Sequence, residues 1–545
     1  MGYMLNKLKR FFDSIESMQI GFGWWMACFS CIIFIRNFLE GALESPKTIG
    51  CSEDPYFSIV IFTSHYSLLY VSQFLILAVI LWLVTRERIE RISKTLIVFW
   101  IIWFPPVFDF IWSGGQGENI SYPHNFSQVW DFFVNCFNPW ASFPQTAPPG
   151  IRVEFVIACL LSIVYIFVKT RNLIKSLAGA ALFYISLTFY VFGFLVVLAY
   201  GWHAFFPDMP PLTEAGVLPY QQVFYAPSLI PLAYLAPSLL YLMVIVVGLF
   251  IWYYLYDCRR CLALVKNIRL TRSIHFSGMT LAGILLGYLV EGKNFFGVFG
   301  NPIDYLAGGS LCLSIFFGFQ AMVVVNDIFD VESDQISNPG RPLGLGIIPL
   351  EEYKIIGWIY FLLATFLAFN VSLTAMWILL LFEALYLVYS TPPLRLKRFF
   401  PINMMIIGLN TLAALLLGYS IFGGVKTADK VPAGFMILVP LGFFLAANII
   451  TIKDIAADRQ DGVMTLPVLF GEKWGKIVIA LLALLSFLLV PLILGIQQLW
   501  LVSILFGMLA GLWVLRKKWQ ENLFFITYFV YALIAAYLIK AYMIY

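Results

Sequence analysis

The sequence predicts an all-α integral membrane protein, and three observations carry that reading. Hydrophobic residues make up 61% of the 545-residue chain, charged residues only 12%, and the mean hydropathy is +0.87. Apolar stretches of about 20 residues recur along the chain, the length at which a helix crosses a hydrocarbon core of about 30 Å. The apolar–polar alternation that a membrane β-barrel requires is absent. The net charge of +4 is small, and the basic residues lie in short loops between apolar runs, not in a stripe. No nucleic-acid partner is therefore expected. The eight cysteines form no framework. Cys28 and Cys31 lie inside an apolar run, and Cys258-Arg259-Arg260-Cys261 has no second pair to complete a zinc site. His65, His124, His203 and His275 are too scattered to suggest a site.

Taken in order, Lys7, Lys9 and Arg10 precede the first apolar run without a small-residue cleavage site, which reads as a retained anchor. Spans follow near residues 20–38, 60–84, 95–112, 152–168, 176–200 and 229–256, about six helices. Short basic loops carry Arg86, Arg88, Arg91, Lys169 and Arg171, whereas residues 39–58, 113–150 and 201–228 are long, aromatic and nearly free of Lys and Arg. The positive-inside rule places the N-terminus and the basic loops in the cytoplasm. The glycosylation-type triplets starting at Asn119 and Asn125 then fall outside. Residues 257–272, with Arg259, Arg260, Lys266, Arg269 and Arg272, read as a basic cytoplasmic linker between an N-terminal region (1–256) and a C-terminal one (273–545). Nine spans are expected beyond it, near 273–291, 305–326, 355–370, 373–390, 402–422, 432–452, 476–496, 498–515 and 523–543.

Two acidic stretches stand out in so apolar a chain. Asn326-Asp327-Ile328-Phe329-Asp330 continues to Asp334 and closes the second of the nine spans. Asp327, Asp330 and Asp334 stand at i, i+3 and i+7, within roughly 60° of one helix face at about 100° per residue. Lys453-Asp454 continues through Asp458 to Asp461 and closes the sixth span, again at i, i+4 and i+7. Carboxylates crowded on one face repel unless a cation sits among them, and hard divalent ions with oxygen ligands suit such a face. One such cluster is readily explained as a solvated helix end. Two, each closing a long apolar helix, point to function, because charge at bilayer depth is costly. Each is followed by a Pro- and Gly-bearing loop. Two four-helix halves plus a ninth helix would set the clusters face to face, with a diphosphate held between bridging metal ions.

These same residues carry a family resemblance. Asn326–Asp334 resembles the NDxxDxxxD signature of the UbiA superfamily of intramembrane prenyltransferases, and Lys453–Asp461 resembles its KDxxD-like second signature. Asn338–Leu343 is similar to the NxPxRPL run, Tyr389–Arg398 to YSxPPLRLKR and Gly462–Val468 to GxxTLPV. The likeness covers about residues 265–545. It implies a nine-helix bundle of the UbiA type, preceded here by about six further helices. It also implies Mg²⁺-dependent transfer of a prenyl group from an isoprenyl diphosphate to a hydrophobic or aromatic acceptor in lipid or quinone synthesis.

On that reading Asp327, Asp330 and Asp334 hold one metal cluster and Asp454 and Asp458 the other, with Asp461 as a helper. Asn326 is a neutral ligand or orients one. Arg341, Lys397 and Lys453 are the candidates to clamp the diphosphate, with Arg272 weaker, and Tyr389 enters through the resemblance alone. Arg395 and Arg398 read better as positive-inside residues at a helix end. Tyr389, Phe329, Phe443 and Phe444 are rings near the motifs that a cationic intermediate could face. Two positions depart from the family pattern. Gly344-Leu345-Gly346 lacks the serine of RPLPSG, and Ala457 stands where an acidic residue is common, with Asp458 one position on. A cation-coupled transporter is the competing reading, although such proteins place charges at mid-membrane on broken helices. A catalytically idle scaffold is a third. The basic loops around Lys397 and Lys517 share a side with both acidic clusters, which faces the active site to the cytoplasm.

Overall fold

The computed structural model describes residues 2–43, 62–115, 125–138, 149–193, 196, 232–290, 302–423, 427–516 and 520–544. Every regular element among them is helical, and thirteen helices are long and apolar enough to cross a membrane. The chain is an integral, multi-pass membrane protein. It divides into two compact units that meet in sequence between Leu262 and Ala263.

The N-terminal unit contains α1 (Gly2–Glu16), α2 (Phe22–Leu43), α3 (Ser67–Thr85), α4 (Ile89–Leu96), α5 (Phe104–Trp112), α6 (Phe126–Asn135), α7 (Pro149–Thr170), α8 (Leu173–Thr188) and α9 (Leu232–Tyr256). Five of its described helices, α2, α3, α7, α8 and α9, have the length and composition to span. The expected span at 95–112 is broken into pieces. A tight 3₁₀ stretch over Ile97–Trp103 joins α4 to α5, and α5 begins with Pro105 in its first turn. Proline has no N–H to continue an α-helical ladder, so the run restarts there. Arg36 and Glu40 form an ion pair inside α2 at 2% and 1% exposure, and the guanidinium lies 4.9 and 4.8 Å from the ring centres of Tyr66 and Tyr70. A charge in that position must be paired. The triplet at Asn119 lies outside the described residues. Asn125 caps α6 by accepting the Gln128 N–H at 2.9 Å.

Helix α10 (Cys258–Lys266) occupies the stretch expected as linker. The C-terminal unit then runs α11 (Leu270–Val290), α12 (Pro302–Phe329), α13 (Val331–Ser337), α14 (Leu350–Phe369), α15 (Leu373–Ser390), α16 (Ile402–Gly423), α17 (Ala433–Ala446), α18 (Ile455–Asp461), α19 (Leu466–Leu494), α20 (Leu499–Leu515) and α21 (Glu521–Ile544). Local chemistry sets several boundaries. Ser372 accepts the Ala375 N–H at 3.0 Å to start α15, and Gly495 ends α19 in the left-handed conformation.

Neighbouring helices pack in order around a ring, α11 on α12, α12 on α14, α14 on α15, α15 on α16, α16 on α17, α17 on α19, α19 on α20 and α20 on α21, with α21 returning to α11. Across the middle, α11 and α16 cross in close contact. Small residues permit that crossing: a Cβ on Gly283 would stand 1.9 Å from the Leu415 carbonyl oxygen, and one on Gly418 would stand 1.8 Å from that of Thr280. Backbone contact of this kind is how membrane helices gain packing without a hydrophobic drive between them. Both halves repeat one pattern. A long helix ends in an acidic segment, a short helix follows, and two further helices complete the half.

Candidate active site

The two acidic segments come together because the short helices α13 and α18 pack against one another. In each, the long helix breaks at an aspartate. Asp330 (φ −114°, ψ 16°) separates α12 from α13, and Asp454 (φ −102°, ψ 12°) precedes α18 after α17 has tightened into a 3₁₀ turn over Ala447–Ile452. Asp330 and Asp454 thus hold equivalent places in the two halves. The expectation that Asp327, Asp330 and Asp334 share one uninterrupted helix face is corrected here. The break at Asp330 separates the carboxylates into Asp327 with Asp334, which share Arg341, and Asp330, which turns to a different pair of cations.

Asp327 accepts from four side chains. Arg269 Nη2 donates to its Oδ1 at 2.8 Å and Arg341 donates to the same oxygen. Asn267 and the Tyr353 hydroxyl donate to Oδ2 at 2.9 and 2.8 Å. Asp330 receives Arg395 Nη2 at 2.8 Å, Lys397, and Asn326 Nδ2 at 2.5 Å, while the Asn326 amide oxygen accepts from Arg269 at 2.9 Å. Asp334 accepts from Arg341. Burial pushes the Asp334 carboxyl up to about 6 against the pull of Arg341, and burial lowers the Arg269 pKa against the pull of Asp327. Arg269, Arg341, Arg395 and Lys397 gather around these three carboxylates, and such fixed positive charge suits an anionic ligand. Arg395, expected as a bystander, reaches Asp330 because its backbone adopts the left-handed conformation (φ 40°). That conformation costs a non-glycine residue about 1–2 kcal/mol, and such strain collects at functional sites.

The second half is arranged differently. Arg272 and Lys453, expected as clamps, both pair with Glu521 at the start of α21, at 3.0 Å each. Asp454 lies within electrostatic reach of Lys453, Arg272 and Glu521, and burial raises its pKa. Among the described residues its Oδ1 is buried without a hydrogen-bond partner. Asp458 and Asp330 both lie within electrostatic reach of Tyr389, as do Arg272 and Arg269. The side chain of Asp461 lies outside the described residues. From Tyr389 the α15 face continues inward through Tyr386, at 6.1 Å between ring centres, to Phe382, which packs with Phe276 and Tyr386. Phe443 packs on His275 at 4.8 Å, whereas Phe329 is 44% exposed and belongs to no such wall.

Carboxylate oxygens from two helices, one of them a buried oxygen without a partner, are a donor set that fits a hard divalent ion. No preformed cage of three or more acidic, His or Cys side chains closes among the described residues. Sequence patterns did not disclose Asn267, Arg269, Tyr353 or Glu521. Their only signals were charge in a linker, a polar residue in an apolar run, and a helix-start glutamate.

Comparison with known proteins defines the class. The model of the UbiA prenyltransferase family matches residues 280–539. The digeranylgeranylglyceryl phosphate synthase of Methanocaldococcus jannaschii is 31% identical over 222 residues, covering 40% of this chain and 72% of the relative. That of Methanosarcina mazei is 30% identical over 229 residues, covering 39% and 74%. A UbiA homologue from Archaeoglobus fulgidus, solved bound to GPP and Mg²⁺, aligns at 16% identity and a TM-score of 0.40, covering 52% of this chain and 99% of its own. The protein is a membrane-embedded prenyltransferase. It belongs to the UbiA prenyltransferase family.

Proposed function

We propose that the protein moves a prenyl group from an isoprenyl diphosphate to a hydroxyl of a glyceryl-phosphate lipid, with Mg²⁺ as the required ion. The observation that carries this reading is the packing of α13 on α18, which brings both acidic segments together, with Asp330 and Asp458 within electrostatic reach of one tyrosine, Tyr389. The relatives named digeranylgeranylglyceryl phosphate synthase support the choice of a lipid alcohol as acceptor. Asp327, Asp330, Asp334, Asp454 and Asp458, helped by Asp461, are the residues to hold Mg²⁺, which supplies Lewis-acid stabilisation of the departing diphosphate.

The chain's own groups do the rest. Arg341, Arg269, Arg395 and Lys397 on one side and Arg272 and Lys453 on the other bring fixed positive charge to the leaving group, and Asn326 and Tyr389 orient it. Fixed donors aimed at developing charge are worth about 10²–10³ in rate each. The donor C–O bond breaks, and diphosphate leaves with the electron pair. The acceptor oxygen forms the new C–O bond and gives up its proton. Phe276, Phe382 and Tyr386 line a dry π-rich wall for the cationic carbon. Catalysis is assigned to residues 273–545 together with Asn267 and Arg269 from the preceding stretch. The basic loops support a cytoplasmic orientation for the site and for the N-terminus.

The test is detergent-purified protein with Mg²⁺, labelled geranylgeranyl diphosphate and geranylgeranylglyceryl phosphate. Ether product and diphosphate should appear together, and both should vanish in Asp327→Asn and Asp454→Asn. Cation-driven substrate uptake into vesicles with no diphosphate release would instead make the protein a carrier.

A further inference from the structure

The two halves of the site treat their carboxylates in opposite ways. In the first, Asp327, Asp330 and Asp334 all accept from cations. In the second, Lys453, Arg272 and Arg269 stand within electrostatic reach of Asp454, yet among the described residues its buried Oδ1 has no partner. The difference is Glu521. Its Oε1 accepts from Arg272 Nε at 3.1 Å and Nη2 at 3.0 Å, and its Oε2 pairs with Lys453 Nζ at 3.0 Å. One carboxylate at the start of α21 therefore engages two of these cations, Arg272 in the first turn of α11 and Lys453 next to Asp454 itself, while Arg269 is held by Asp327.

Left to electrostatics alone, Asp454 should capture one of them. Unit charges 4 Å apart attract by about 4 kcal/mol at an effective dielectric of 20. A buried carboxylate oxygen without a donor is costly. A guanidinium or ammonium on Asp454 would also compete with a divalent ion for its oxygens, since Mg²⁺ demands near-octahedral oxygen ligation. We propose that Glu521 is a positioning residue that draws Arg272 and Lys453 away from Asp454 and so keeps Asp454 open as a metal ligand. This rests on the Mg²⁺-dependent reading above. It assigns Glu521 no contact with substrate. It makes α21 a working part of the second metal site, not only a wall of the bundle.

The test is direct ion binding to the full-length protein in detergent, with Mn²⁺ as the paramagnetic probe followed by electron paramagnetic resonance. Thermal stability is recorded alongside. In the native protein, Asp454→Asn should remove one class of bound Mn²⁺. Glu521→Gln should weaken that class by about tenfold, a coupling of ~1.4 kcal/mol. Glu521→Gln combined with Lys453→Gln should recover much of the loss, because one competing cation is gone. A tie that merely staples α21 to α11 predicts lower stability, unchanged Mn²⁺ affinity and no recovery, and that result overturns the proposal. Should Glu521→Gln fail to fold, Lys453→Gln alone decides. Binding at least as tight as native supports the proposal, and weaker binding overturns it. If the native protein holds no Mn²⁺ that depends on Asp454, the Mg²⁺ reading itself falls. If it does and Glu521→Gln binds normally, only the role of Glu521 falls.

Discussion

Arg269 Nη2 lies 2.8 Å from Asp327 Oδ1, joining the residue just before the first helix of the C-terminal unit to the carboxylate that closes its second. The same guanidinium nitrogen also donates to Asn326. Arg269 is therefore part of the site, although its neighbours in sequence read as a connecting stretch. Arg269→Gln should lower kcat/KM for the diphosphate donor by about 10²-fold, the scale of losing one preorganised donor. Arg269→Lys should recover little, because a point charge cannot serve both Asn326 and Asp327 in the fork geometry of a guanidinium. Steady-state kinetics against donor concentration checks both.

Asp330 carries Arg395 and Lys397, two residues of one loop. Asp330→Asn removes a negative charge that holds both. The expected outcome is loss of transfer by at least about 10²-fold together with loosening of the 391–398 loop. Faster amide hydrogen exchange there, with exchange in α14 unchanged, would separate this local effect from general unfolding.

The crossing of α11 and α16 leaves no room for a side chain at Gly418 or Gly283. Gly418→Val should force the helices apart and destabilise the C-terminal unit by about 1–3 kcal/mol or more. Gly278, whose Cβ would meet nothing within 4 Å, should accept alanine without harm. Thermal unfolding in detergent, followed by the loss of monodisperse protein, distinguishes the two.

In the N-terminal unit, Arg36 answers Glu40 directly and lies within electrostatic reach of Glu154. Arg36→Leu leaves Glu40 buried and Glu154 half-buried without their counter-charge and should cost about 3–5 kcal/mol. Glu40→Gln leaves Arg36 with Glu154 and the two tyrosine rings, and should cost less. Equal losses in the two variants, measured as shifts in denaturation midpoint, would contradict this account.

The sequence by itself determined the class of fold and singled out the candidate site. Apolar runs of spanning length leave helices as the solution, since backbone polar groups in lipid must bond within their own segment. Two aspartate segments that close long apolar helices marked the candidate site, because charge there is costly. What the tertiary structure decided is which partner each charge finds. Asp330 faces Arg395 and Lys397 because the helix breaks at Asp330 and Arg395 bends left-handed, neither of which residue spacing reveals. Arg272 and Lys453 turn to Glu521, a residue 249 positions from Arg272. The span expected at 95–112 is segmented. Periodicity reports which residues share a face of one helix. Ion pairs in a bundle depend on which helices become neighbours and at what depth, and that is settled only when the helices pack.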